Sequence, residues 1–475
     1  MSHHQNRKGK ETEVGICVSL RCGFLGQSGR EGVRNKIGEE TLKRLFRGGM
    51  KMGKKIYLVL LAILVGISFQ AVLMPASSHS AEPVIVGVPT SIYTPFGRDG
   101  LKAVNMAVEE INTKGGVMVG REKRPLKVVV TDTRDGEPTT PIHDSLMAYE
   151  KMLLEQKPHA VVIAPFRSEA IIASMDLVAK YKVPQLQTIA QTPQFQVKFR
   201  TDPEKYKYLF RVCTDAAIDA GYISGALNTL KADFALNKIY FIPQDTLWAL
   251  GFIGILRKHC EKTGWQEVGY EPYAAGATDF SPGLTKAKEG KAQVIAMVWD
   301  VPLGAGIFSK QWAAMKVPAL VVGFVPPMAA PDAWKTVGKD VEYSIHVEFP
   351  VGASVPLKKL PKTVEFLDRF QKKYGKMPEA AAVNSSAYDA VYILATAIER
   401  AGSLDSDKLV TAIEQTDYRG VSGRLRFNKD HVIVFDSNPE ETGVCVVFQW
   451  QNGKRVPIYP AFLAEAKVAL PPWMK

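Results

Sequence analysis

The chain has 475 residues, 46% of them hydrophobic and 23% charged, and carries a formal net charge of +12. That composition excludes a fibrous or wholly disordered protein, and the length exceeds what one ordinary core organises. The basic balance suggests a polyanion binder only until it is located: residues 1–49 hold a net +5 and residues 50–80 a net +3. The 395 residues after position 80 therefore carry +4 and call for no nucleic-acid partner.

Residues 1–49 are polar and rich in Gly and Arg. They read either as the product of a start codon assigned too far upstream or as a disordered leader. Met52 to Lys55 is basic, Ile56 to Phe69 is an apolar run, and the small residues Ala76, Ser78 and Ser80 offer cleavage positions. This is the pattern of a secretory signal peptide over residues 50–80. The apolar run is shorter than the ~18–20 residues a membrane span needs. No Cys lies near the cleavage positions, so the expectation is export to the periplasm without a lipid anchor.

The mature chain opens with a strand, Val84 to Val88, followed by a loop from Thr90 to Gly97. From Gly97 a helical pattern sets Leu101, Val104, Val108 and Ile111 on one face and ends at Gly115 and Gly116. A second strand, Leu126 to Thr131, completes a strand–helix–strand unit, which predicts parallel pairing with the Thr90–Gly97 loop at the carboxyl end of the sheet. The alternation continues with a helix over 138–157, a strand over 159–165, a helix over 170–181 and a strand over 183–188. A second series follows: helices at 215–230, 248–263, 281–289 and 303–315, strands at 238–243, 292–298 and 317–323, and a segment at 266–273 between the second and third helices. The chain changes lobes near 341–350, and helices at 385–401 and 405–415 and strands at 422–427 and 443–450 complete the pattern. Two β/α series imply two lobes with a cleft between them.

Three cysteines remain after the signal segment, Cys213, Cys260 and Cys445, and an odd number leaves at least one unpaired. There is no GxSxG, HExxH, CxxC or Walker loop, and the histidines are few and scattered. A binding protein without enzyme activity, metal or cofactor is expected.

The order and wording of several segments carry a resemblance. They are VGVPTSIYTPFGRDGLKAVNMAVEEINTKGGV, SEAIIASMDLVAKYKVPQLQTIAQTP, YLFRVCTD and GATDFSPGLTKAKEGKAQVIAMV, then NSSAYDAVYILATAIERAGSLDSDKLVTAIEQTDYRGVSGRLRFNKD and VVFQWQNGK. Over residues 83–460 the chain resembles the type I periplasmic solute-binding proteins of the leucine/isoleucine/valine-binding family, which serve ABC importers. The resemblance implies an α/β two-lobe clamp of the Venus-flytrap kind. Each lobe is a mostly parallel sheet flanked by helices, and three hinge crossings join them. The first lobe is expected at 83–208 plus 346–443 and the second at 209–345 plus 444–475. The implied partners are a small-molecule ligand and the permease and ATPase subunits of the importer, with the chain a monomer. The alternative is a periplasmic sensor that presents its bound state to a receptor.

The resemblance also implies a site. In the first lobe it points to Phe96, with Tyr93 available beside it for stacking, to Arg167 and Ser168, and to Thr188, Ala190, Gln191 and Thr192, where hydroxyls and backbone N–H groups would hold a carboxylate. In the second lobe it points to Trp248 and Asp300. The plain alternatives are packing for Phe96 and Trp248, a helix cap for Ser168, a solvated side chain for Arg167 and a turn for Asp300. One departure matters: the loop Gly323 to Pro327 has no acid where amino-acid binders hold the ligand's ammonium group. Either Asp300 or Glu169 replaces it, or the ligand is an aromatic or other organic carboxylate without an ammonium.

Overall fold

The computed structural model describes residues 82–474 except 138 and 381. The expectations for the leader (1–49) and the signal peptide (50–80) lie outside the described residues. The first part of the chain forms β1 (Val84–Thr90), a hairpin of β2 (Val117–Val119) and β3 (Glu122–Arg124), β4 (Leu126–Asp132), β5 (Ala160–Ile163), β6 (Gln185–Gln187) and β7 (Leu209–Arg211). The middle forms β8 (Lys238–Pro243), β9 (Gln266–Tyr270), β10 (Val294–Val298), β11 (Leu320–Phe324) and β12 (Ile345–Glu348). A second hairpin, β13 (Tyr418–Gly420) with β14 (Gly423–Leu425), precedes β15 (Val446–Gln451) and β16 (Lys454–Tyr459).

Two large sheets result. The first is parallel throughout, in the order β4-β1-β5-β6-β7. The second runs β16-β15-β12-β11-β10-β8-β9, parallel from β12 to β9 and antiparallel at β15 and β16. Every residue of β5, β10 and β11 is buried. Helices cover both faces of a parallel sheet, so its strands read as continuous Val, Ile and Ala runs rather than as alternating patterns.

The first helix runs from Pro95 to Thr113, two residues ahead of its expected start. Thr94 caps it, its Oγ1 accepting the Gly97 N–H at 3.0 Å. A Cβ on Gly97 would lie 2.0 Å from the Ser91 carbonyl oxygen, so only glycine lets the helix start this close to β1. The helix Asn384–Ala401 packs on it. The hydroxyls of Tyr388 and Tyr392 both donate to Glu110 Oε2, at 2.5 and 2.7 Å. The chain has therefore returned to the first sheet after building most of the second.

It passes between the sheets after Arg211, after Glu348 and before Val446. This moves two expected boundaries. β7 lies in the first sheet although 209 was expected to open the second lobe, and β12 lies in the second although 346 was expected to reopen the first. β7 (Leu-Phe-Arg) and β12 (Ile-His-Val-Glu) are short and mix apolar with charged residues, so their sequences carry no mark of the sheet they join. The helices Gln194–Thr201 and Pro361–Tyr374 and the edge strand β16 were not expected. Pro457 disguises β16, since proline belongs only at a sheet edge, and β16 is an edge. Cys213, Cys260 and Cys445 are all free and buried.

Candidate functional site

The carboxyl ends of both sheets open onto one cavity of about 230 Å³. Phe96 follows β1, Gly136 follows β4, residues 166–169 follow β5, and Thr188, Ile189 and Gln191 follow β6. From the second sheet, Gln244, Asp245, Thr246 and Trp248 follow β8, Asp300 follows β10, Phe324 ends β11 and Phe349 follows β12. Loops at the carboxyl ends of parallel strands are where an open α/β sheet receives a ligand.

Much of the wall is aromatic. Phe96 and Phe166 pack at 5.4 Å on the first-sheet side. On the other side Phe324 lies 4.6 Å from Phe349 and meets Trp248 edge-on at 6.2 Å. Val383, at the start of the helix Asn384–Ala401, reaches the same cavity with a φ of 70°, a costly conformation for a β-branched residue.

The loop after β5 is held from beneath. Asp135 is fully buried; its Oδ2 accepts the Arg167 N–H at 2.7 Å and its Oδ1 accepts the Thr133 hydroxyl at 2.5 Å. Burial raises the Asp135 pKa, and these hydrogen bonds oppose the rise. With the backbone fixed this way, Arg167 is the N-cap and Ser168 the first residue of the helix Ser168–Tyr181, and no side chain caps that end. Ser168 is thus not the cap. The helix presents Ser168 and uncapped N–H groups to the cavity, a favourable place for an anion. The Arg167 guanidinium lies 3.6 Å from Glu169 and stays partly exposed.

On the opposite wall Gln244 Nε2 donates to Asp300 Oδ1 at 2.6 Å. Asp300 keeps some surface toward the cavity, yet the protein around its carboxyl pushes the pKa up to about 6. Gln244, Trp248 and the charge of Arg167 across the cavity hold it from rising further. Two buried hydroxyls of the lining, Thr188 Oγ1 and Thr246 Oγ1, have no hydrogen-bond partner in the protein. Buried polar atoms in folded proteins are rarely left so; they pair with other protein groups, ordered water or a ligand.

Of the expected site residues, Phe96, Arg167, Ser168, Thr188, Gln191, Trp248 and Asp300 line the cavity. Three do not. Tyr93 faces outward, 65% exposed, because the helix start at Pro95 turns Phe96 inward instead. Ala190 and Thr192 are buried behind the wall. The Ala190 N–H goes to Gln187 Oε1 at 3.1 Å, Thr192 Oγ1 takes the Gln194 N–H at 3.2 Å, and the Thr192 carbonyl takes Arg211 Nη2 at 2.6 Å. Sequence reasoning missed Phe166, Gln244, Thr246, Phe324 and Phe349. Each sits within three residues of a predicted strand end or crossing, which was a usable signal. Among the described residues no cluster of His, Cys, Asp and Glu suits a metal ion, and no helix is long and apolar enough to cross a membrane.

One parallel and one mostly parallel sheet, three connections and one cavity where the carboxyl ends meet define a solute-binding clamp. The family model described as "Periplasmic binding protein" matches residues 85–453, and the chain belongs to that family. It is similar to Leu/Ile/Val-binding protein homolog 7 of Brucella melitensis, at 22% identity over 425 residues, 86% of this chain and 99% of the relative. Among solved structures it resembles the branched-chain amino acid transporter substrate-binding protein LivJ of Streptococcus pneumoniae in complex with isoleucine (TM-score 0.64, 21% identity, 82% of this chain and 100% of that one). It also resembles an ABC-transporter solute-binding protein of R. palustris in complex with benzoate (TM-score 0.63, 16% identity, 82% and 99%).

Proposed function

We propose that the protein is the exported substrate-binding component of a branched-chain-amino-acid-type ABC importer, which captures an amino acid with an apolar or aromatic side chain and delivers it to the permease and ATPase subunits. The polarity of the cavity carries this reading. Arg167, Ser168, Thr188 and an uncapped helix end stand on one wall and Asp300 on the other, with aromatic rings between them. The ligand carboxylate goes to the first wall, its ammonium to Asp300, and its side chain to Phe96, Trp248, Phe324 and Phe349. Asp300 thereby takes the place of the acid missing from Gly323–Pro327.

Closure of the two lobes strips water from the ligand's charged ends, and each lost hydrogen bond must be replaced from the walls. Only a ligand that engages both walls favours the closed form, and the importer distinguishes closed from open. A second reading, an aromatic carboxylate without ammonium, is favoured by the acid-free loop whose Phe324 joins the ring wall, and by the benzoate held by a structural relative.

A thermal-shift screen of amino acids and aromatic acids tests both, since a ligand bound only by the folded clamp raises Tm. Hits among apolar amino acids support the first reading. Hits confined to aromatic acids support the second, and none in either group overturns both.

A further inference from the structure

Asp300 stands on a loop whose main chain is fixed by its neighbour. Trp299 is fully buried; its backbone N–H donates to the Phe324 carbonyl and its indole N–H to the Val301 carbonyl, each at 2.9 Å. Neither bond touches the Asp300 side chain.

That side chain is met by Gln244, which follows β8, the parallel neighbour of β10. Gln244 is buried, and its own backbone is tied on both sides: its N–H donates to the Val298 carbonyl and its carbonyl accepts the Thr246 N–H, each at 2.9 Å. Its Oε1 accepts two backbone N–H groups of the loop, from Asp300 at 3.0 Å and from Val301 at 3.4 Å. An amide whose oxygen is committed to two donors cannot turn over, so its Nε2 faces the carboxyl and donates to Oδ1 at 2.6 Å. A methionine would fill the same space with neither contact. A lysine would donate but would cancel the charge. Glutamine aims the carboxyl and leaves it charged. The other charged groups of the cavity are Arg167 and Glu169, 3.6 Å apart on the opposite wall, and Asp245, exposed beside Gln244. Arg167 already has an acid next to it, which leaves Asp300 as the acid of the lining that no cation adjoins.

We propose that Gln244 is a positioning residue for ligand capture, holding Asp300 toward the cavity as the counter-charge to the ligand's ammonium. The inference rests on the reading of the ligand as an amino acid. Gln244 acts through Asp300: a hydrogen bond donated to a carboxylate favours its ionised form, so removing the donor makes Asp300 take up its proton at higher pH.

Isothermal titration with L-phenylalanine over about pH 5–9 tests this. Wild-type affinity should fall below about pH 6, and Asp300→Asn should abolish that fall. Gln244→Met should move the fall upward by about one pH unit. Gln244→Glu keeps an acceptor for the two backbone N–H groups and, by sharing a proton with Asp300, offers an O–H in place of the amide N–H; the fall should stay at or below the wild-type pH. If Gln244→Met keeps the wild-type profile, or Gln244→Glu shifts upward as Gln244→Met does, Gln244 merely packs and the inference is overturned while the reading of the ligand stands. A wild type that does not bind L-phenylalanine, or binds it equally across the range, overturns that reading and the inference with it.

Discussion

Gln244 holds Asp300 at two points: its Nε2 donates to Oδ1 at 2.6 Å and its Oε1 accepts the Asp300 backbone N–H at 3.0 Å. One neutral side chain thus fixes the carboxyl that faces Arg167 across the cavity without neutralising it. Burial then brings its pKa to about 6, within reach of physiological pH.

The pH dependence of binding follows from that value and separates the two ligand classes. An ammonium group needs ionised Asp300, so affinity for an amino acid should weaken as pH falls below about 6, approaching tenfold per unit. A carboxylate without ammonium is repelled by ionised Asp300, so its affinity should rise over the same interval. Isothermal titration at several pH values, with Asp300→Asn removing the dependence in either case, reads the sign.

Asp300 also bears on stability. Its folded pKa lies above the ordinary 3.8, so its ionisation is disfavoured in the native state. The loss is absent below about pH 4, grows as pH rises through the interval to about 6, and is complete above it. Asp300→Asn should therefore raise Tm at pH 7 by the equivalent of no more than about 3 kcal/mol and leave it unchanged near pH 3.5. Equal shifts at both pH values would contradict this.

Thr188 is fully buried in the lining with an unpartnered hydroxyl. Thr188→Val keeps the shape and removes that atom. The ligand-free protein should be as stable as the wild type or up to about 1 kcal/mol more so, while affinity drops by about 1–1.5 kcal/mol. Denaturant unfolding and titration together check it; a parallel loss of stability would make the hydroxyl structural.

Arg167→Ala should weaken binding of any carboxylate ligand by about 1.5–3 kcal/mol, the cost of one charged hydrogen-bonding partner. Sharing with Glu169 and partial exposure keep the effect below that of a fully buried pair. An unchanged Kd would remove Arg167 from the site.

Asp135 acts on the site through the Arg167 backbone. Asp135→Ala leaves the Arg167 N–H without its 2.7 Å acceptor and should cost about 1–3 kcal/mol of stability together with weakened binding. Asp135→Asn, which retains an acceptor oxygen, should restore most of both. Unfolding curves and titrations of the two variants make the comparison.

Much of the fold was legible because parallel strands buried on both faces must be apolar along their length. Val84 to Val88, 238–243 and 294–298 stand out for that reason. The helix Pro361–Tyr374, with Thr363, Phe366 and Phe370 buried along one stripe, was equally legible and was overlooked. β16 was not legible, since a strand containing Pro457 is recognisable only once its edge position is known. In the site, residues just past a strand end were foreseen when they belonged to a recognisable segment, as with Arg167 and Ser168. Phe349 and Gln244 were not: they too follow strand ends, but they lie outside those segments, and their position past a strand end was the only signal they carried.

The sequence by itself determined the two β/α series and the absence of an acid in Gly323–Pro327, since periodicity and residue order are local properties of the chain, and its resemblance to a known family pointed to the class of protein. Only the tertiary structure decided which sheet β7 and β12 join, that Phe96 rather than Tyr93 faces inward, and that Asp300 stands opposite Arg167 at a raised pKa. These depend on which distant segments exclude water from one another, and burial of that kind exists only after the chain has crossed between its sheets three times.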